Sequence, residues 1–117
     1  MASENEGVKI VAIDSDGVFK YILIKVTTEK GAFNIVRGFA WAAFHDDMYQ
    51  PASAEIEEMG FETECTGGGR IRHDAAGKKF KVYGYSQAFG RGDHQQAADL
   101  LKLSYPDYSF ECSNDGY

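Results

Sequence analysis

The amino-acid sequence predicts a small single domain of the α/β (α+β) class, a mixed β-sheet of about six strands with two helices packed on it. Three observations carry this reading. Segments with strand character outnumber helical ones by about three to one. Only two stretches place apolar residues three or four apart. The chain has 117 residues, 44% hydrophobic and 14% aromatic, with no linker, repeat or low-complexity run. That composition suits one domain with its own core and not a disordered chain.

The elements follow in order. Residues 1–7, MASENEG, are polar, lack the apolar centre of a signal peptide and are expected to be flexible. VKIVAI (8–13) is a short strand, and DSDG (14–17) is a turn by its Asp and Gly content. VFKYILIKV (18–26) is apolar at odd and even positions alike, which predicts a strand covered on both faces. A turn over TTEKGA leads to a further strand, FNIVRGFAW (33–41). Trp41, Phe44, Met48, Ala52, Ile56 and Met59 then form a helical stripe that Gly60 can stop. Pro51 requires that helix to kink or to begin nearby. His45 lies at the edge of the stripe, one turn from Trp41 and Tyr49, and is expected to be partly buried. FETECTGGGRIRHD (61–74) pairs with KKFKVYGYSQAF (78–89) as a hairpin over HDAAGK. Gly67, Gly68 and Gly69 weaken its first strand and mark a bulge or a close approach by another group. A second helix has Asp93 as N-cap, Ala97, Leu100 and Leu101 as its buried face, and Pro106 as its stop. YSFECS (108–113) closes the sheet.

The net charge of −6 argues against a broad nucleic-acid surface. Lys20 and Lys25 interrupt the most apolar run, so no membrane span is expected. Cys65 and Cys112 have neither metal-pair spacing nor the look of a disulfide framework. A soluble, cytoplasmic monomer is the expectation, without nucleic-acid or membrane partners.

Among groups with chemistry to offer, His45 stands in AAFHDDMYQP. His73 ends a strand and His94 opens a helix. The HDD run invites a metal reading, but neighbouring helical residues diverge and no second ligand cluster exists, so no metal or other cofactor is expected. CTGGGR resembles a thiol-phosphatase loop, yet only four residues separate Cys65 from Arg70, one short of that pattern, and no helix follows to lower the thiol pKa. Cys65 is therefore read as a small strand hydrophobe. Lys20, Arg37 and Arg70 each interrupt or end a strand. Together, beside glycine-rich backbone, they could line one rim of the sheet as an anion pocket. Ser86 and the small residues of YGYSQAFG add a turn whose amides could face an oxyanion.

Several blocks taken together resemble the protein histidine phosphatase, or janus/ocnus, family: DSDGVFKYILIKV, IVRGFAWAAFHDDMY, CTGGGRIRH, KVYGYSQAFG and the ending YPDYSFECSNDGY. The resemblance runs in order from about Ile13 to Tyr117. It implies a metal-independent phosphatase that removes phosphate from phosphohistidine in proteins, on a small mixed sheet with two helices. It implies that His45 is the catalytic histidine, that Lys20 binds substrate and that Ser86, Gln87 and Ala88 supply a phosphate-binding backbone. Arg37 and Arg70 carry over as pocket-shaping or phosphate-contacting groups. Phe44 departs from the tyrosine common in that block, and Gln87 from a more apolar residue. The TTEKGAF segment is shorter than in some relatives.

The chemistry needs few groups. The phosphoramidate releases an imidazole, whose conjugate acid has a pKa near ~6.5, so no metal is required to stabilise the leaving group. A positioned water, a histidine titrating near neutral pH and cationic donors suffice, with His45 as general base or as nucleophile. Two rivals use the same residues: a phosphoprotein-binding module without turnover, and thiol catalysis through Cys65.

Overall fold

A computed structural model of the chain describes residues 4–114. Its strands are β1 (Glu4–Asn5), β2 (Val8–Lys9), β3 (Val11–Ile13), β4 (Gly17–Thr28), β5 (Gly31–Phe39), β6 (Glu62–Asp74), β7 (Lys79–Tyr83) and β8 (Ser109–Cys112), with helices α1 (Asp46–Glu58) and α2 (His94–Ser104). β1 and β2 form a small separate hairpin. The other six strands form one mixed sheet in the order β3-β5-β4-β6-β7-β8. The four inner strands run antiparallel, and the edge strands β3 and β8 lie parallel to their neighbours.

The apolar run in β4 puts it at the centre. Tyr21, Ile22, Leu23 and Ile24 are consecutive and all fully buried, which requires cover on both faces. α1 packs over β4, β5 and β6, while α2 packs over β3, β5, β7 and β8. Side chains alternate along a strand, so the two helices can be assigned to opposite faces. The ring of His45, at the start of α1, lies where a side chain on Gly68 would project, and that of His94, at the start of α2, where one on Gly69 would. Under the C-terminal end of α2, Phe80 stacks on Tyr108 and Phe110 and meets Tyr105 edge-on, closing the far end of the core.

α2 follows expectation. Asp93 accepts a hydrogen bond from the Gln96 amide at 3.0 Å, and Ala97 and Leu101 are buried, while Leu100 is only partly so. The helix ends at Ser104, before Pro106. α1 departs from it. The helix proper begins at Asp46, and the Phe44 amide donates to the Asp47 carboxylate at 2.9 Å, so Asp47 secures the helix start. Pro51 lies within the helix, which continues past it. Met48 and Ile56 are buried as the stripe predicts, but Trp41 is 62% and Phe44 71% exposed. Their spacing is helical, yet the chain there turns out of β5 and has not begun the helix. Trp41 instead lies flat on Phe39, with ring centroids 5.4 Å apart. The single strand expected over 8–13 is divided by a bend at Ile10. Residues 4–7, expected to be flexible, form β1 and its turn; residues 1–3 lie outside the described residues.

Candidate active site

The three glycines of β6 organise the site. Leu23 pairs with Gly67 and Ile24 with Cys65, so Thr66 is an extra residue in a bulge. Gly67 has φ +154°, and a Cβ there would lie 2.8 Å from Arg91 and Gly92 backbone atoms. A Cβ on Gly68 would collide with the Tyr21 carbonyl and stand 3.0 Å from the His45 ring. On Gly69 it would meet the Tyr83 carbonyl and stand 2.9 Å from the His94 ring. The expected bulge and close approach thus both occur, and each of the last two glycines admits a histidine ring onto a different face.

His45 is only 5% exposed, deeper than its place at the edge of a stripe suggested. Its Nε2 lies 2.9 Å from the Gly69 carbonyl. A carbonyl can only accept, so Nε2–H donates, and in the neutral ring Nδ1 carries the lone pair. Burial lowers the His45 pKa below its usual value; the Gly69 hydrogen bond opposes this, and the nearby Lys20 and Arg70 charges add to it. The ring is therefore neutral near pH 7.

A cavity of about 290 Å³ opens beside this ring, lined by Lys20, Phe44, His45, Asp46, Gln87 and Ala88. Lys20, on β4, stands directly opposite Arg70 on β6. The turn after β7 brings in the backbone. Ser86 is buried; its amide donates to the Gly90 carbonyl at 3.1 Å and its hydroxyl accepts from the Phe89 amide at 3.1 Å. Ser86 thus shapes the turn, and among the described residues the Gln87 and Ala88 amides have no protein acceptor. Both residues line the cavity.

Five of the seven residues singled out from the sequence gather here: His45, Lys20, Gln87 and Ala88 at the cavity, with Ser86 supporting the turn. Arg70 is adjacent through its pairing with Lys20. Arg37 is not brought to the cavity. Its guanidinium donates to the Val36 and Lys9 carbonyls at 3.0 and 2.8 Å and lines a different cavity, between α1 and the N-terminal hairpin. Its row of the sheet, opposite Ile22, lies under α1 and not at the open end. Cys65 lies within β6, and burial pushes its thiol up to about 11. Among the described residues no three His, Cys, Asp or Glu side chains converge to hold a metal ion, and no helix is long and apolar enough to cross a membrane.

The other two histidines are buried and held by hydrogen bonds. His73 bonds the Asp14 carbonyl and the Tyr108 hydroxyl at 2.9 and 3.1 Å. His94 donates from Nε2 to the Gly84 carbonyl at 2.9 Å, so its Nδ1 accepts from the Tyr21 hydroxyl at 2.5 Å. Sequence reasoning missed the Gly69 carbonyl that orients His45. A backbone acceptor leaves no residue-type signal; only the glycine run hinted at a close approach. Asp46 and Phe44 at the cavity were likewise not singled out.

The family model described as the Janus/Ocnus family matches residues 5–109. The chain is 46% identical over 114 residues to the 14 kDa phosphohistidine phosphatase of Sus scrofa, covering 92% of this chain and 90% of that protein. The Homo sapiens protein of the same name is also 46% identical, with 92% and 91% covered. The sex-regulated protein janus-A of Drosophila melanogaster is 43% identical over 112 residues, with 95% and 83% covered.

Proposed function

The chain belongs to the Janus/Ocnus family, and we propose that it is a protein phosphohistidine phosphatase that hydrolyses the phosphorus–nitrogen bond without a metal ion, using His45 as general base. The names of its relatives support the substrate class. The observation that carries the role of His45 is its hydrogen bond to the Gly69 carbonyl, which leaves an unprotonated Nδ1 on a neutral ring beside the cavity that Lys20 lines.

In this reading Lys20 and the Gln87 and Ala88 amides hold the phosphoryl group, and Arg70 adds positive charge. A water oxygen attacks phosphorus while its proton passes to His45 Nδ1. The P–N electron pair stays with the departing imidazole, which leaves as a neutral molecule when its other nitrogen is protonated. Phosphate and free histidine result, and His45 returns its proton to solvent. The high pKa of the Cys65 thiol leaves little thiolate near neutral pH, which disfavours the thiol route. Two free thiols suit a cytoplasmic setting, and a cavity built from one chain suits a monomer.

The test is phosphate release from phosphohistidine. The wild type should turn over, and a folded His45→Ala protein should lose about 10²–10⁴-fold or more in kcat. No turnover by the wild type, with tight binding of the phosphopeptide, would favour a binding module. Near-normal turnover by His45→Ala would remove His45 from the mechanism. Treatment with a chelator should leave the rate unchanged; loss restored by one divalent ion would overturn the metal-free route. Radiolabelled substrate, quenched at short times, shows whether label ever becomes bonded to His45, which a base does not require and a nucleophile does.

A further inference from the structure

Beyond the N-terminus of α1, the sheet face that carries the cavity is not covered by a helix. Along β6 and β7 the pattern alternates cleanly. Ile71, His73, Phe80 and Val82 are buried on the α2 face, while Arg72 and Lys79 are exposed and Lys81 half-buried on the other. Register places these residues in rows. Lys20 pairs with Arg70, and Arg70 with Tyr83. One pleat further, Val18 pairs with Arg72, Arg72 with Lys81, and Lys81 with Glu111. Successive residues on one face are about 7 Å apart, so the Arg72–Lys81 row begins one pleat from the cavity.

The charge of this surface runs against that of the molecule. Five of the twelve lysines and arginines, Lys20, Arg70, Arg72, Lys79 and Lys81, stand on it, in a chain of net charge −6. Asp74 and Glu111 share the face. Asp74 accepts from the Gly77 amide, and Glu111 lies 4.0 Å from Lys81. Arg72 and Lys79 have no ion-pair partner among the described residues. A cavity of about 420 Å³, lined by Arg72, Lys79 and Lys81 and by Asp74 and Glu111 among others, gives the strip depth. Val18, 50% exposed, lies within the same row.

Resting on the phosphohistidine reading above, we propose that the Arg72–Lys81 row is a docking surface for an acidic segment of the substrate protein, engaging carboxylates about two residues from the phosphohistidine. The spacing follows from the sheet: an extended peptide advances about 3.4 Å per residue, so one pleat corresponds to two residues. The positive strip also gives an acidic enzyme a local attraction for acidic partners that its overall field would repel.

The experiment compares three substrates: free phosphohistidine, a phosphohistidine peptide with neutral flanks, and one with Asp or Glu two residues on either side. In the double variant Arg72→Gln/Lys81→Gln, kcat/KM for the acidic peptide should fall by about three- to ten-fold at low salt, an effect that shrinks as salt rises. Free phosphohistidine and the neutral peptide should be processed at the wild-type rate, which also shows that the variant is folded and the cavity intact. An equal effect on all three, or none on the acidic peptide, overturns the docking surface while leaving the phosphatase reading in place. If the wild type turned over none of them, the phosphatase reading would fail. Fluorescence anisotropy with the unphosphorylated acidic peptide would then still decide docking, through weaker binding by the double variant or its absence.

Discussion

His45 shows how a single residue acquires its chemistry from its surroundings. An exposed histidine titrates near ~6.5 and exchanges tautomers freely. Here the Gly69 carbonyl selects the Nε2–H tautomer, and burial with two nearby cations holds the ring neutral. The pH profile should report this. With His45 as the proposed base, activity requires its neutral form, so kcat/KM should show an acid limb that falls as the pH drops through a value below ~6.5. Spontaneous hydrolysis must be subtracted at each pH. An acid limb centred clearly above the ordinary histidine value would contradict a His45 kept neutral by burial.

At the scale of the element, β6 decides whether the site exists. Its bulge at Thr66 and the glycines that follow let two histidine rings and the 90–92 segment approach one strand. Gly68→Ala places a methyl against the Tyr21 carbonyl and 3.0 Å from the His45 ring, so the strand or the ring must shift. The variant should lose about 1–3 kcal/mol in urea unfolding, the usual range for overpacking. It should also lose ten-fold or more in kcat, since small misplacements of a base are costly. Full activity with unchanged stability would show that this approach is not constraining. Arg37 belongs to the same scale. Its guanidinium ties β5 to the N-terminal hairpin through the Lys9 carbonyl and also donates to the Val36 carbonyl within β5.

For the molecule as a whole, stability should depend on pH in a definite sense. Burial lowers the pKa of both His45 and His94, so each binds protons more weakly folded than unfolded. Their contribution is fully present above the unfolded value of ~6.5 and is lost as pH falls through the folded values. The urea midpoint should therefore drop between about pH 7.5 and about pH 5.5. Carboxylates remain ionised across most of that window, so relief of acidic self-repulsion enters only below it. A midpoint that is constant or rises on acidification would show that neither histidine is buried neutral in solution.

Much of this protein could be read from the chain. The run of apolar residues at odd and even positions in β4 required a strand covered on both faces, Asp93 and Pro106 bounded α2, and the glycine run announced a bulge and a close approach. These are local matters of periodicity, capping and backbone freedom, which neighbouring residues decide. Non-local packing decided the rest. Trp41 and Phe44 have helical spacing, but the chain had still to turn out of β5 before α1 could start, and so both are exposed. Lys20 and Arg37 look alike as cations interrupting strands. Strand register puts one at the open end of the sheet and the other under a helix, because a side chain's surroundings depend on which element crosses its row. The acceptor that sets the His45 tautomer is a backbone carbonyl 24 residues away. Every residue has such a carbonyl, so only the folded chain could select this one.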